Sequence, residues 1–342
     1  MTPALPLILA LLQAAPVPAD SGEVHLSNIR QLTFGGQNAE AYFSASGKQL
    51  IFQREDSVPG GICDQEYVMN VDGSGVRRVS TGTGRTTCGW FFAHDSRIFY
   101  ASTDRASPVC PPRPDYSHGY VWALYDYDIF AADSDGAHRT QLTDNRGYDA
   151  EGTLSPNGST IVFTSQRDGD LDIYTMRIDG SRVRRLTRTL GYDGGPAYSP
   201  DGKLIVYRAF HPQTAADSAE YRGLLAQHLV QPTRMDLWVM NADGSGQRQI
   251  THLAGASFAP AFTPDGKRLI FASNTRQPTT DNFDLYVVNL DGSGLDRVTT
   301  SPGFNAFPMF SPDGKQLVWE SSRGAKVRHD TNIFIADWVE HP

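Results

Sequence analysis

Three carboxylates near the middle of the chain have residue types and spacing that suit metal binding. Asp149 and Glu151 lie two residues apart, and Asp193 takes the equivalent place in the next sequence repeat. Clustered oxygen ligands of this kind can hold a hard cation such as Ca²⁺. Their spacing matches no known metal-binding loop, so hydrogen bonding to channel water and backbone is the simpler interpretation.

Histidines form a second set of candidates, because imidazole binds transition metals and exchanges protons near neutral pH. They would support a metal-dependent lyase or hydrolase, yet no H-x-H or H-E-x-x-H spacing is present. Scattered surface histidines explain the same pattern with fewer assumptions. The candidates between predicted strands are His118, His211, His228, His252 and His329.

The elements that would position these residues are six copies of one repeat. A complete copy has an SPDG-like turn, an apolar run such as TIVF, a strand such as DIYTM, a turn such as IDGSR, and a closing pair such as LT. Asp-Gly between two strand-like runs is a strong hairpin signal, because Gly accepts a positive φ without steric cost. The SPDG-like turns start at Ser44, Ala93, Ser155, Ser199, Thr263 and Ser311.

Four short strands per repeat predict an all-β fold, a six-bladed β-propeller of four-stranded antiparallel blades. The sixth repeat stops after its third strand, whereas an LT pair at Leu32-Thr33 precedes the first SPDG-like turn. We therefore expect the N-terminal strand, residues 26–33, to complete the last blade and close the ring. A single propeller domain then spans residues 20–342.

These repeats, of the form SPDGK…DIY.MN.DGS..R.LT, resemble those of the TolB-like β-propeller family over residues 26–338. The resemblance implies the fold and carries little about function. TolB itself has an α/β domain before its propeller, and residues 20–25 are too few for one, so Tol–Pal function is not carried over. The propeller of prolyl-oligopeptidase-type enzymes is also similar, but no G-x-S-x-G nucleophile motif occurs here.

Blade topology places all the long insertions on one face of the disc, opposite the SPDG and DGSG turns. Long loops on a rigid scaffold commonly carry binding sites. In the fourth insertion, Thr214 and Asp217 have capping-box spacing, which predicts a short helix packed on this face. The insertions are residues 53–65, 103–126, 209–235, 274–284 and 321–331.

Two rings of residues are expected where the first strand of each blade enters the channel. The predicted binding residues are Asn38, Glu40, Asp149, Glu151, Asp193 and Asn305, joined by His211, His228, His252 and His329. Aligned on the SPDG turns, the first ring is Asn38, Thr87, Asp149, Asp193, Ser257 and Asn305. The second ring is Glu40, Gly89, Glu151, Gly195, Ala259 and Phe307.

The three cysteines, Cys63, Cys88 and Cys110, all map to the loop face. In an oxidising compartment one pair is expected, and Cys63–Cys88 is preferred over Cys88–Cys110. Three unpaired thiols remain an alternative, because sequence does not fix connectivity. The absence of C-x-x-C spacing disfavours a zinc site.

The N-terminus predicts export. An apolar run, residues 4–15, precedes Val17-Pro18-Ala19, which fits a signal-peptide cleavage after Ala19. We therefore expect a signal peptide at residues 1–19, a periplasmic or secreted protein, and no membrane span in the mature chain. A formal net charge of −8 argues against a nucleic-acid partner.

The sequence leaves three functions open. The preferred one is a non-catalytic recognition module, a monomer without cofactor, binding an envelope or periplasmic protein, a peptide or a glycan. Its site would be the loop face and channel mouth. The alternatives are a metal-dependent polysaccharide lyase or hydrolase at the same mouth, and a scaffold or sensor within a protein complex.

Overall fold

The computed structural model describes residues 14–117 and 119–340. The signal-peptide prediction lies largely outside them, as does His118. Six sheets are arranged around one channel, which confirms the predicted six-bladed propeller. Blade one comprises β3 (Asn38–Phe43), β4 (Gln49–Val58), β5 (Gly61–Asn70) and β6 (Arg77–Arg78), preceded by β1 (Ala15–Pro16) and β2 (Leu26–Gln31).

The second and third blades repeat the same antiparallel order. Blade two comprises β7 (Thr86–Phe91), β8 (Arg97–Ser102), β10 (Asp128–Asp133) and β11 (Thr140–Gln141), with the short strand β9 (Trp122–Ala123) in its insertion. Blade three comprises β12 (Asp149–Leu154), β13 (Thr160–Ser165), β14 (Asp172–Arg177) and β15 (Arg184–Arg185).

Blade four carries the described helix. It comprises β16 (Tyr192–Tyr198), β17 (Leu204–Phe210), β19 (Asp236–Asn241) and β20 (Arg248–Gln249), with α1 (Ala215–Leu225) and β18 (Leu229–Val230) in its insertion. Blade five comprises β21 (Ser257–Phe262), β22 (Arg268–Ser273), β23 (Asp284–Asn289) and β24 (Asp296–Arg297). Blade six contains β25 (Asn305–Phe310), β26 (Gln316–Ser321) and β27 (Asn332–Trp338).

The N-terminal strand closes the ring as predicted. β2 pairs antiparallel with β27, with Arg30 opposite Ile335 and Gln31 opposite Phe334. Beyond the strand, the Leu32 N–H donates to the Ile333 carbonyl at 2.8 Å. β1 then adds a fifth strand to the outer edge of β2. The ring is thus closed in blade six by hydrogen bonds between a strand from the N-terminal end of the chain, β2, and one from the C-terminal end, β27.

The hydrophobic core consists of layers between neighbouring blades. Between blades three and four, for example, Val162 and Ile173 pack against Ile205 and Tyr207, all fully buried. The apolar runs of the repeat supply both faces of each layer. Since both faces of these strands are buried, their sequences are continuously apolar and do not alternate between apolar and polar residues. Removing these side chains from water supplies the main stabilisation of the disc.

The Asp and Thr of blades two, three and four form one recurring structural contact. In blade three the Thr187 hydroxyl donates to Asp172 Oδ1 at 3.0 Å and accepts from the Ile173 N–H at 2.9 Å. The second oxygen of Asp172 pairs with Arg185 of the fourth strand at 2.6 Å. Repetition of DIY and LT together therefore reflects scaffold chemistry.

The predicted helix is confirmed. Thr214 is the N-cap of α1, and its hydroxyl accepts from the Asp217 N–H at 3.0 Å. Tyr221 and Leu225 are buried against the propeller, in a cluster with Leu124 of the second insertion and Tyr192 of blade four. The helix thus packs its apolar side on the domain.

Candidate functional site at the channel mouth

Every inner strand carries a β-bulge at the same place, and the bulged residue has a left-handed backbone. The pairing of each inner strand with its neighbour shifts register there, for instance between Ala39 and Tyr42. These six residues are partly exposed among buried neighbours, so they line the channel. They are Glu40 (φ 52°), Cys88 (φ 56°), Glu151 (φ 59°), Gly195 (φ 58°), Ala259 (φ 50°) and Phe307 (φ 53°).

This ring agrees with the predicted second ring except in blade two, where Cys88 replaces Gly89. The turn in that blade begins at Phe92, whose N–H donates to the Arg97 carbonyl, one residue earlier than predicted. Asp95, at φ 56°, takes the left-handed position that Gly fills in the other SPDG turns. Without that glycine the sequence alignment slipped by one residue, and Thr86 rather than Thr87 belongs to the first ring.

The predicted first ring does not line the channel. Asn38, Asp149, Asp193 and Asn305 are at most 2% exposed, and each binds the loop that crosses between blades or a neighbouring strand. Asn305, for example, donates to the carbonyls of Phe283 and Ser301, both at 3.1 Å. These residues hold the crossings in place.

Asp149, Glu151 and Asp193 do not converge on one point. Asp149 pairs with Arg167 at 3.0 Å, Asp193 with His211 at 2.9 Å, and Glu151 with Arg208. Burial raises the pKa of Asp149 to about 6, although Arg167 opposes the shift. Within the described ranges no group of three His, Cys, Asp or Glu side chains could hold a metal ion.

The other predicted histidines are also apart from one another. His228 lies just beyond α1, where its carbonyl accepts from the Leu124 N–H at 2.7 Å. His252 and His329 are exposed on separate blades. His211 is buried against Trp238, with ring centroids 4.9 Å apart. The four side chains therefore form no shared site.

One side of the channel is acidic. Glu40 of blade one and Glu320 of blade six interact with each other and with Asp64, and Glu66 of β5 interacts with Glu40 and Asp64. Burial raises the pKa of Glu40 to about 7, and Glu151 adds to the rise while the Cys88 thiol, by hydrogen bonding, opposes it. Burial also raises the pKa of Glu320 to about 8.

Arg208 is the buried cation of this region. It pairs with Glu151 and donates to the Tyr192 hydroxyl at 2.6 Å. The remaining carboxylate oxygen of Glu151 accepts from the Gly195 N–H at 2.8 Å, so Glu151 is fully bound. The guanidinium carbon of Arg208 lies 5.0 Å from the Trp122 ring centroid, a cation–π distance.

Next to the acidic side, the channel wall formed by blades five and six is aromatic. Phe258 makes ring contacts with Phe283, Phe304 and Phe307, at centroid distances of 4.9, 6.2 and 5.5 Å. Phe307 is the bulge residue of blade six and Ala259 that of blade five. The channel wall thus divides into an acidic side from blades six, one and three and an apolar side from blades five and six.

A segment of the second insertion, described at residues 108–117 and 119–124, crosses the channel mouth, and we call it the strap. β9 in the strap pairs antiparallel with β18 of the fourth insertion. Trp122 lies between Tyr192 and Phe258, at ring distances of 6.2 and 6.4 Å. On the exposed side Tyr116 and Tyr120 stack with centroids 5.8 Å apart. The strap therefore presents aromatic side chains both to solvent and to the channel.

The strap is anchored to the β4–β5 hairpin by a disulfide, which corrects the predicted pairing. Cys63 is bonded to Cys110, with Cα atoms 5.9 Å apart, and Cys88 is free. Both predicted pairs involving Cys88 are wrong, because the bulge directs this thiol into the channel beside Glu40. The Cys110 N–H also donates to the Pro59 carbonyl at 2.8 Å, and Arg113 pairs with Glu55 at 2.5 Å.

Sequence reasoning missed four residues of this site: Glu66, Arg208, Glu320 and Trp122. A signal existed for Glu66, which stands where Ile173 and Leu237 stand in other blades, and its charge breaks that apolar pattern. Arg208 and Glu320 occupy the paired position of the second strand, which is Gln53, Ala101, Thr164 and Ala272 in the other blades, so their charge is a weaker signal there. Trp122 had no such signal, since it lies in an insertion.

A family model described as the TolB beta propeller domain (PD40) matches residues 123–221 and 223–330, more than half of the chain. The chain belongs to the TolB β-propeller family. This membership confirms the resemblance seen in the repeats. No curated protein matches the sequence.

Solved structures show the same fold at low sequence identity. A protein assigned as TolB from Agrobacterium tumefaciens is 20% identical, with a TM-score of 0.59 over 90% of this chain and 91% of that one. A gluconolactonase from Xanthomonas campestris is 14% identical, with a TM-score of 0.60 over 99% of both chains. An oligogalacturonate lyase in complex with manganese is 12% identical, with a TM-score of 0.53 over 96% of both chains.

Such relatives have different activities on one scaffold, so function must be argued from the site. Among the described residues, no helix has the length and apolar character needed to cross a membrane.

Proposed function

We propose that the protein is a recognition module of the bacterial envelope or the secreted fraction, which binds a protein, peptide or glycan partner at the strap and channel mouth. The observation that carries this proposal is the strap itself. A disulfide, an ion pair and a strand pairing fix it to two other insertions, while Tyr116 and Tyr120 remain 47% and 59% exposed.

Rigid exposed aromatic side chains are what binding surfaces need. Tyrosine supplies a large contact area with only two side-chain torsions to immobilise, and aromatic residues are enriched at interface centres. Two further apolar side chains, Ile62 (59% exposed) and Val109 (47%), lie beside the disulfide at the hairpin end of the strap. Their exposure costs solubility without a structural benefit, which supports a partner on this side of the disc.

An oxidising compartment agrees with the proposal. The Cys63–Cys110 disulfide is stable where thiols are not kept reduced. Export is also what the predicted signal peptide at residues 1–19 implies. Together they favour the periplasm or the exterior as the place of action.

Site-specific crosslinking tests the proposal. A photoreactive amino acid replaces Tyr120 in one variant and Val183 in a control. Val183 is a 41%-exposed apolar residue just after a DGSG-like turn on the opposite face. In cells, we expect a discrete crosslinked partner from position 120 and none from position 183. Equal crosslinking at both positions, or none at position 120 under conditions that preserve the fold, would contradict the proposal.

The lyase alternative is tested separately with the purified chain, manganese and oligogalacturonate. Release of unsaturated sugar products would replace recognition by catalysis as the function. In the described ranges the geometry offers that reaction no group of metal ligands, so we expect no product.

A further inference from the structure

Glu66 occupies a position that is apolar in the other five blades. Strand pairing aligns it with Ile129, Ile173, Leu237, Leu285 and Ile333, which are all buried core residues. Glu66 is itself fully buried, and neither carboxylate oxygen has a hydrogen-bond partner among the described residues. The Gly89 N–H lies near enough to the Glu66 carboxyl to lower its pKa, but it makes no hydrogen bond of normal geometry with either oxygen. A buried polar group left this way needs a further explanation.

A second carboxyl group near Glu66 is also short of partners. Glu320 is 4% exposed, and its Oε2 has no hydrogen-bond partner in the described part of the chain, although Thr331 and the Glu40 backbone act on its carboxyl group. Glu40 interacts electrostatically with both Glu66 and Glu320, is hydrogen-bonded to the Cys88 thiol and is partly exposed toward the channel. Of the charged groups around them, Asp64 is paired with Arg85 and Glu151 with Arg208.

The acidic side therefore lacks positive charge. Among the residues that the structure describes, none of the Lys and Arg ion pairs includes Glu40, Glu66 or Glu320. The groups that act on these three carboxyls from the surrounding strands, the strap and the residues 322–331 loop are Asp64, Glu151, Arg208, Cys88, Tyr42, Tyr100, Tyr120 and Thr331. Arg208 alone is cationic in that set, and it is already bound by Glu151 and Tyr192.

The aromatic side and the strap complete the shape of a site. Phe307 faces the channel at the bulge of blade six, and Phe258 packs beside it at 5.5 Å. Tyr120 of the strap lies close enough to Glu320 for the two to interact electrostatically. A ligand with a charged end and an apolar stem would meet carboxylates on one side and aromatic rings on the other. Lysine side chains have this character, because their methylenes pack on apolar surface.

We propose that Glu40, Glu66 and Glu320 bind a primary ammonium group on an unbranched apolar stem, as on a lysine side chain of a peptide partner. This inference rests on the proposed function and names the chemistry of its ligand. An ammonium group donates three hydrogen bonds of about 2.9 Å, a looser demand than the 2.3–2.6 Å bonds that calcium requires. That fits carboxyl groups that, in the described part of the chain, do not converge as metal ligands.

Binding of the cation has a defined pH dependence. The ammonium attracts the ionised carboxylates, whereas the empty site holds protons because burial raises the pKa of Glu40 to about 7 and of Glu320 to about 8. Ligand binding should therefore release protons below pH 8. The affinity for the ammonium group should increase as pH rises from 5.5 to 8.5. A site that binds its ligand through protonated carboxyl groups would show the opposite dependence.

Calorimetric titration with N-acetyl-lysine methylamide tests the inference, and the norleucine analogue is the matched neutral probe. We expect the lysine probe to bind at least tenfold more tightly than the norleucine probe at pH 8.5. At pH 6.5 its binding should release protons, detected in buffers of different ionisation enthalpy. Glu66→Ile, which restores the residue type of the other blades, should reduce that preference at least tenfold. Asp291→Asn on the opposite face should leave it unchanged.

Equal binding of the two probes, or unchanged lysine preference in Glu66→Ile, would overturn the inference. Calcium chloride titrated alone gives a further outcome, since tight calcium binding without lysine binding would make the site a metal site. Crosslinking at position 120 that persists while the lysine probe fails would retain the recognition function and reject only the ammonium ligand.

Discussion

The two faces of the disc are built by different means. On the short-turn face, four DGS turns repeat the same contacts: the Asp oxygen accepts from the Ser N–H at 2.9 Å and from the Ser hydroxyl at 2.6 Å, as in Asp179–Ser181. On the loop face, the strap depends on contacts between residues far apart in sequence, such as Cys63–Cys110. Local, repeated contacts make the scaffold, and the single, long-range contacts make the candidate site.

The largest expected effect comes from removing the long-range link. The double variant Cys63→Ser/Cys110→Ser opens a loop closed across 47 residues, and we expect a loss of roughly 3–4 kcal/mol in unfolding free energy. Chemical denaturation measures it, and wild-type protein under reducing conditions is the control. If reduction leaves stability and strap protection in hydrogen exchange unchanged, the strap does not depend on the disulfide.

A glycine pair compares the two faces directly. Gly180, in a short turn, has φ +80°, and an added Cβ would lie 2.5 Å from the Leu142 carbonyl oxygen. Gly169, on the loop face, has φ +90° and nothing within 4 Å of such a Cβ. We expect Gly169→Ala to cost about 1 kcal/mol from backbone strain and Gly180→Ala roughly 2–3 kcal/mol. If thermal unfolding gives equal losses of stability for the two variants, the backbone of the short turn shifts to accommodate the added methyl group.

Glu66→Ile tests the effect of the charged residue that interrupts the apolar pattern of the repeat in blade one, near its loop-bearing end. Restoring an apolar residue should stabilise the fold by about 1–3 kcal/mol at pH 8, because it removes a buried, unpartnered carboxyl. Gln53→Leu, at the paired position of β4, serves as the control for added apolar surface. A loss of stability in Glu66→Ile at pH 8 would contradict this account.

The wild-type protein should itself become less stable as pH rises. Glu40 and Glu320 have folded-state pKa values of about 7 and about 8, above the ordinary value of 4.5. The folded state therefore holds more protons than the unfolded chain, so stability is fully present below pH 4.5 and decreases through pH 7–8. Between pH 7 and pH 8 we expect a decrease on the order of 1–2 kcal/mol from these groups, since each bound proton changes stability by about 1.4 kcal/mol per pH unit. Glu320→Gln should flatten the profile, and a profile that keeps its slope would reject the assignment.

The smallest effect is expected on the short-turn face. Asp291→Ala removes two local hydrogen bonds, from the Ser293 N–H and hydroxyl, and should cost about 0.5–1.5 kcal/mol. Leu295→Ala, at an exposed neighbour (42%), should change stability by less than about 0.5 kcal/mol. Lysine-probe binding should be unaffected in both. Altered binding would mean that the two faces are coupled.

Sequence reasoning found the scaffold and part of the candidate site. The positions of Glu40 and Glu151 in the ring came from counting to the SPDG turn, which works because the turn and bulge are a fixed distance apart. The same count failed in blade two, where Asp95 replaces the glycine. It also placed Asn38 and Asp193 in the channel, because alternation along a strand does not reveal a bulge that turns one side chain outward and its neighbour inward.

The sequence by itself determined the six blades, the closure by residues 26–33 and the helix after Thr214, since turn glycines, caps and apolar runs act within a few residues. Only the tertiary structure decided that Cys63 bonds Cys110, that the strap pairs with β18, and that Glu66 meets Glu40 in an acidic channel wall. These contacts join segments from different blades, and their formation depends on the three-dimensional course of irregular loops, which no local preference encodes.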